Sequence, residues 1–543
     1  MKTSYRSCAL VCALAAWAEL TACRIASADA YDPPVNYYSA ATGTGATLKS
    51  QLTTIMSTGH IQRTYGDFRF SSAIIDADPN VPGNLLTVYT RTSVPAAWDN
   101  GITWNREHTW PDSLQPQDAN NNSTGAIADH HMLRPAVPSV NGSRGNKPYG
   151  LDNTTGANQH VGSYYFPGDA DKGDMARTQF YAATRWAAQG FTLVDTLPSG
   201  TQMGDLSSLI NWHYLDVPDT FERRRNQAVY SQAMNPSYYQ NNRNAYVDRP
   251  EYVWSVFVDQ MNDSQITIAG GTPTGNGGST RDVNLGSVIV GAPLPAAQSF
   301  TLNKAGLDGT YFEVTPGGAA TSSITGRYNA FANNTTGTKS IDIGLAASTA
   351  TAGLKSGTVV VDNLDVTNEG GAGVGANDGN DAFNVNLSVL DHANASFAGL
   401  SDLNSLTIDF GSVPIGSGLL QSSFDVFNLV ATAGFTAPLD LTSFSGAGST
   451  SAFTTTLAAT NNIAAGGSQL FAAMFDTSSP GSFAASYTLA VSDDTALAGA
   501  VGGQQLTLNL LGNVVAVPEP AAALLLTIGA LALGHQRRRT AAC

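Results

Sequence analysis

Cysteine is scarce in this chain, with four among 543 residues. Cys8, Cys12 and Cys23 crowd the start and Cys543 is the last residue, so the body between them contains none. That distribution excludes a disulfide framework and leaves stability to packing and bound ions. Charge is also thin, at 13% of residues, with 27 Lys and Arg against 42 Asp and Glu and a net charge of −15. Such a balance does not suggest a nucleic-acid binder. It leaves that role open only where basic side chains converge locally and a divalent metal adds positive charge. Histidine numbers only eight, whereas glycine numbers 54. Little charge and much glycine lean toward β-rich or extracellular material, and the length implies several domains.

Both ends read as processing signals. Lys2 and Arg6 precede an apolar run over 8–17, and Ala26-Ser27-Ala28-Asp29-Ala30 supplies small residues for a signal-peptidase cut before Tyr31. Leu20-Thr21-Ala22-Cys23 offers a lipoprotein cleavage box as the second reading. Either cut implies export. At the far end, Pro518-Glu519-Pro520 is followed by an apolar stretch over 521–533 and then by Arg537-Arg538-Arg539. The stretch is short against the roughly 20 apolar residues of a spanning helix. The order resembles the PEP-CTERM sorting signal of Gram-negative bacteria. That resemblance implies an exosortase-type partner and delivery to the cell surface, outer membrane or extracellular matrix. A plain C-terminal membrane anchor is the other reading.

Composition shifts near residue 265. Every tryptophan outside the leader lies before it, the last being Trp254. Residues 268–280 (IAGGTPTGNGGST) read as a flexible linker. Beyond it Asn284-Leu-Gly-Ser-Val-Ile-Val-Gly291 recurs as Asp409-Phe-Gly-Ser-Val-Pro-Ile-Gly416, and residues 357–362 have a weaker echo in 487–492. Two units of about 120 residues fit the size of a domain. Short alternating runs between Gly and Asn turns suggest two immunoglobulin-like β-sandwich modules, spacers or adhesive stalks that lack a catalytic cluster. The expected division is thus a signal peptide over 1–30, an α+β nuclease domain over 31–265, a linker over 266–281, sandwich modules over 282–395 and 396–515, and the sorting signal over 516–543. Within the first domain, helices are expected over 46–56, 174–188, 205–213 and 220–234, with short strands at 68–70 and 86–89. Arg223-Arg224-Arg225 reads as a solvated helix face.

Chemistry concentrates in two segments, Trp104-Asn-Arg-Glu-His-Thr-Trp-Pro111 and Asp129-His-His-Met-Leu-Arg-Pro135 with its continuation Val140-Asn-Gly-Ser-Arg-Gly-Asn-Lys-Pro-Tyr-Gly150. Phosphodiester hydrolysis needs a base tuned near neutrality, a hard cation on oxygen ligands and a phosphate-holding cation. Adjacent Glu107 and His108 meet the first two needs if they lie on a strand, where neighbouring side chains diverge. Asn141 is suited to a second metal oxygen. His130 and His131 lack further ligands at zinc spacing. Trp110 and Trp186 read as core.

These segments resemble the bacterial endonuclease I family, secreted and periplasmic nucleases with a ββα-metal site. Asn105-Arg106-Glu107-His108-Thr109-Trp110-Pro111 looks like its Glu-His motif. Asp129-x-His131-x-Leu133-x-Pro135 and Asn141-Gly142-x-Arg144-x-Asn146 look like its second motif, and further matches extend the likeness over roughly 35–260. The resemblance implies His108 as general base, and Glu107 and Asn141 as ligands of one Mg²⁺, with Ca²⁺ or Mn²⁺ as alternatives. It makes Arg144 a phosphate contact, and His131, Asp129 and Asn146 supporting or phosphate-binding groups. Substrates would be DNA and RNA, cut without sequence preference. An Asn-rich insertion over 115–125 departs from the family pattern, as does the missing cysteine in a family with disulfide-rich members. The rival reading is a non-enzymatic surface protein whose nuclease-like domain only binds polyanions.

Overall fold

The structure is a computed structural model that describes residues 30–151, 153–259, 262, 264–275, 277–333, 336–366 and 379–517. The expected leader to residue 29 and the sorting segment from residue 518 lie outside the described residues. Among the described residues no helix is long and apolar enough to cross a membrane. The chain divides into two compact units: 1–283 with 297–344 and 357–385, and 284–296 with 345–356 and 386–543.

The first unit opens with a helical layer. Helix α1 (Gly45–Ser57) buries Leu48, Leu52 and Met56, one apolar stripe at four-residue spacing. Helix α2 (Phe68–Ile75) occupies the segment expected as a strand. Its buried residues Phe68, Ser71, Ser72 and Ile75 stand at i, i+3, i+4 and i+7, a helical period that a reading of Phe-Arg-Phe as alternation misses. Short strands β1 (Asn84–Leu86) and β2 (Ser93–Pro95) pair antiparallel. Next come strand β3 (Asn105–His108), strand β4 (Leu133–Ala136) and helix α3 (Pro138–Arg144). Helices α4 (Lys172–Arg185), α5 (Leu206–Leu215), α6 (Thr220–Tyr230), α7 (Ala245–Asp248) and α8 (Tyr252–Phe257) complete the layer. Helix α4 is buried on almost every side, from Gly173 to Thr184.

Two apolar clusters fix the β3–β4 pair from both directions. Trp110, Met132 and Ala136 belong to the larger core around α4, while Trp104 and Leu133 join the smaller one with Phe68, Ile75 and Val229. Trp110 and Trp186 both lie in the larger core. The arginines of α6 do not form the expected solvated face. Arg225 is buried against Asp76 at 2.7 Å and the carbonyls of His130 and Leu133. Arg223 pairs with Asp32, and Arg224 donates to the Ile74 carbonyl. Buried carboxylates and carbonyls on neighbouring elements compensate these charges, and one sequence segment cannot reveal such partners.

The glycine-rich segment read as a linker contains structure. Gln265–Ile268 is a strand paired antiparallel with Gln298–Ala305, and Ile266 and Ile268 are buried. Its alternate isoleucines are a period-two signal just ahead of the glycine-rich run. Nor does residue 265 bound a compact unit, because Tyr311, Ala330, Leu364 and Val366 join the same core as Trp212 and Trp254. The second unit contains a four-stranded and a five-stranded sheet over a core that includes Phe424, Phe475, Leu489 and Leu508. The sequence repeat proves to be a shared backbone device. Gly286 and Gly411 adopt φ of 85° and 72°, and each amide is held at 2.8 Å by the carboxyl or carboxamide oxygen two residues earlier, on Asn284 and Asp409.

Candidate active site

Strand β3 runs antiparallel to β4, pairing Glu107 with Arg134 and His108 with Leu133, and α3 follows β4 after one residue. Pro138 occupies the first turn of α3, where its missing N–H costs nothing, and Gly145 ends the helix at a positive φ of 56°. Asn141 and Arg144 are three residues apart, so they share one face of this short helix. They meet the residues of β3 that share a strand face: Asn141 Nδ2 donates to Asn105 Oδ1 at 2.8 Å, and Arg144 Nη1 donates to Glu107 Oε1 at 3.0 Å. Alternation along β3 sends Arg106 and His108 the other way.

Glu107 is 3% exposed and accepts a second hydrogen bond, at 2.6 Å, from the Tyr89 hydroxyl. Burial pushes its carboxyl above the ordinary range, opposed by the Arg144 guanidinium and the Tyr89 hydroxyl. Oε2 of Glu107 and Oδ1 of Asn141 accept no hydrogen bond among the described residues. His108 Nε2 lies 2.9 Å from the Ile127 carbonyl, and the ring stacks on Tyr65 at 4.9 Å and 19°. A carbonyl can only accept, so the neutral ring carries its proton on Nε2 and its lone pair on Nδ1. Burial lowers the pKa of His108, which keeps that lone pair available near neutrality.

A residue match now accompanies this geometry: the endonuclease I family model covers residues 40–251. An extracellular ribonuclease of Bacillus amyloliquefaciens is 36% identical over 233 residues, 40% of this chain and 76% of that protein. A second, from Bacillus subtilis (strain 168), is 35% identical over 240 residues, 42% of this chain and 80% of that protein. The chain belongs to the endonuclease I family. Family membership makes it an endonuclease, a phosphodiester hydrolase. A solved protein of unknown function from Porphyromonas gingivalis W83 is 14% identical, spans 47% of this chain and all of that one, and has a TM-score of 0.16, too low to carry an argument.

Endonuclease I enzymes are generally dependent on a divalent metal ion. The donor set here suits a hard cation: a carboxylate oxygen and a carboxamide oxygen, both free of other bonds, on two adjoining elements. Among the described residues no group of three or more His, Cys, Asp and Glu stands together as a metal site. Glu107 and Asn141 are the residues that would hold such a cation.

The remaining motif residues of this endonuclease I chain are differently placed. Arg144, expected as a phosphate contact, is 1% exposed and donates to Glu107, to the His108 carbonyl at 2.9 Å and to the Thr109 carbonyl at 2.9 Å. Its guanidinium lies over the Tyr149 ring, 4.8 Å from the centroid. That side chain is turned inward, because only buried acceptors compensate a desolvated cation. Asp129 is fully buried and accepts from Tyr181, Trp186 and the His131 amide. His131 Nε2 meets the Asn242 carbonyl at 3.2 Å. These two residues tie the second motif to α4 and to Asn242, in the segment before α7, rather than to Glu107. Asn146 is exposed beyond the end of α3.

Sequence reasoning missed the tyrosines. Tyr89 adopts φ of 73° and bridges Glu107 to the Tyr149 hydroxyl at 2.6 Å. Asp171 accepts its amide proton at 2.8 Å, and Asn158 donates to its carbonyl at 2.9 Å, so the surroundings over-determine this strained backbone. Tyr149 closes the second segment with no role read for it, no motif marks Tyr65 or Tyr89, and the three come from separate loops.

Proposed function

We propose that this chain is an exported, divalent-metal-dependent endonuclease that cuts RNA and DNA without sequence preference. The single observation carrying the reading is the ββα frame, with Glu107 and Asn141 oxygens on one side of β3 and a neutral, Nε2-protonated His108 on the other. In this reading Nδ1 of His108 takes a proton from the attacking water, and Glu107 and Asn141 hold the cation. A bound Mg²⁺ would neutralise charge on the phosphorane and the leaving oxygen. Arg144 and Tyr89 hold the Glu107 carboxylate in place, and the products carry 5′-phosphates. The names of the two Bacillus relatives favour RNA as a substrate. Export is supported by the leader pattern. Delivery to the cell surface by sorting machinery rests on the C-terminal signal, and the immunoglobulin-like modules would serve as spacers in a matrix.

The test is cleavage of a supercoiled plasmid and of a long RNA by the chain from Tyr31 onward, with Mg²⁺, with EDTA and as His108→Ala. Cleavage of both polymers that vanishes in EDTA and in the variant is the expected outcome. A folded wild type that binds nucleic acid yet cuts neither polymer with Mg²⁺, Mn²⁺ or Ca²⁺ would sink the reading in favour of a polyanion-binding surface protein.

A further inference from the structure

The inward turn of Arg144 leaves the phosphate without the cation that the motif was expected to supply, and the same strand offers another. Arg106 precedes Glu107 on β3 and shares its strand face with His108. The Tyr65 ring touches both: its centroid is 4.9 Å from the His108 ring and 3.6 Å from the Arg106 guanidinium carbon. Trp98 lies at 5.3 Å from the same guanidinium. Nη1 of Arg106 donates to the Tyr65 carbonyl at 2.7 Å and to Asn121 Oδ1 at 3.2 Å. Asn121 belongs to the Asn-rich insertion, and its carbonyl accepts the Gly66 amide at 3.0 Å, so the insertion frames this arginine.

What the guanidinium lacks is as telling as what holds it. Arg91, Arg134, Arg144, Arg177, Arg225 and Arg243 each pair with a carboxylate, whereas Arg106, like Arg63, Arg69, Arg185, Arg224 and Arg281, forms no ion pair among the described residues, and of these it is the one on β3 beside His108. Its Nε and Nη2 donate to nothing among them, and the side chain is only partly buried. Asp112 and Arg69 act on this neighbourhood electrostatically, but neither is bonded to Arg106. An always-charged planar fork, immobilised on an aromatic face with two donor positions free, is suited to the oxygens of a phosphodiester.

We propose that Arg106 is the phosphate-binding cation of the site, clamping nonbridging oxygens of the substrate beside His108, with Tyr65 as the positioning residue that aligns guanidinium and imidazole together. The assignment rests on the nuclease reading above for what is bound there. Because Tyr65 touches both groups, it couples placement of the base to placement of the phosphate, and the Asn-rich insertion becomes part of the site.

The experiment uses the chain from Tyr31 onward as wild type, Arg106→Gln, Arg106→Lys and Tyr65→Leu, each first melted to confirm folding. Affinity for a fluorescent single-stranded oligonucleotide is measured in EDTA, where no turnover occurs, across a series of salt concentrations. Arg106→Gln is expected to lower the slope of log affinity against log salt by about 0.7, the loss of one phosphate contact on a single strand. Its kcat/KM with Mg²⁺ should fall about 100-fold. Arg106→Lys should restore the salt slope but little of the rate, because a point charge replaces a fixed fork. Tyr65→Leu should lower kcat while leaving that slope unchanged. A wild-type slope and a rate within twofold in Arg106→Gln would overturn the assignment. If Arg106→Gln does not fold, Arg106→Lys decides: full wild-type kcat/KM there also overturns it. An inactive wild type whose slope still drops in Arg106→Gln would instead remove the nuclease reading and leave the phosphate contact standing.

Discussion

At the scale of single residues, the site is a buried carboxylate kept in place by neighbours that must all be present together. Arg144 satisfies Glu107 and two carbonyls at once and is buried, at 1% exposure. Replacing it by methionine strands a buried charge and two acceptors, an expected loss of about 3–5 kcal/mol of stability, measurable by guanidinium unfolding of wild type and variant. A loss under about 1 kcal/mol, the range of exposed ion pairs, would show that the pair contributes little. His131 offers a pH test. Burial lowers its pKa to about 4, despite the opposing charge of Asp129. The folded state therefore holds this ring neutral while the unfolded chain protonates it below about 6.5. The stability contributed by the neutral ring is complete above that value and is lost as pH falls toward 4, at about 1.4 kcal/mol per pH unit. His131→Gln preserves a donor for the Asn242 carbonyl and removes the titration. Its stability should thus fall less steeply than wild type between pH 6 and 4.5, and parallel curves would refute this account.

At the scale of elements, α4 and α5 approach so closely that only glycine fits between them. A Cβ on Gly173 would stand 2.0 Å from the Asp216 carbonyl oxygen, which also accepts from Arg177 Nη1 at 2.6 Å. Gly173→Ala gains helix propensity of about 1 kcal/mol. It nevertheless has to push the turn after α5 away, at a cost of about 1–3 kcal/mol for overpacking. A lower melting temperature is expected, and an unchanged or raised one would mean that the turn yields freely. The expected helices near 46–56, 174–188, 205–213 and 220–234 correspond to α1, α4, α5 and α6; the first three carry apolar residues at helical spacing, whereas α6 buries Glu222, Arg223, Arg225 and Asn226 beside Ala228 and Val229. Helix α2 is different. Its Phe-Arg-Phe start alternates locally, and its helical face is defined by what it packs against, including Trp104 and Leu133.

At the scale of the whole molecule, the first compact unit joins residues that composition divides. Tyr311 donates its hydroxyl to the His213 carbonyl at 2.5 Å and its ring lies 5.4 Å from that of Tyr214. Arg327 pairs with Glu251, and Arg223 sits 4.3 Å over the Tyr328 ring. A chain ended at residue 265 loses all of these and uncovers part of the core around Trp212 and Trp254. It should melt well below the chain that continues to residue 517, or aggregate on expression, as differential scanning fluorimetry would show. Equal melting temperatures would establish that the earlier residues fold without these contacts.

The sequence alone determined the identity of the chemistry. Glu107, His108 and Asn141 lie within 35 positions, and their residue types are the ones that the proposed base and two hard ligands require. It also determined that Glu107 and His108 diverge, because alternation is a local property of an extended strand. Tertiary structure decided everything that depends on what a side chain meets. The same arginine motif could have faced substrate or core, and Arg144 turned inward because remote segments placed a carboxylate and two carbonyls there. Tyr65, Tyr89 and Tyr149 reached the site from separate loops by packing, which leaves no pattern along the chain. The strand Gln265–Ile268, at the start of the segment expected as a linker, went unread for the same reason: pairing with Gln298–Ala305 satisfies its backbone, and that partner lies some thirty residues away.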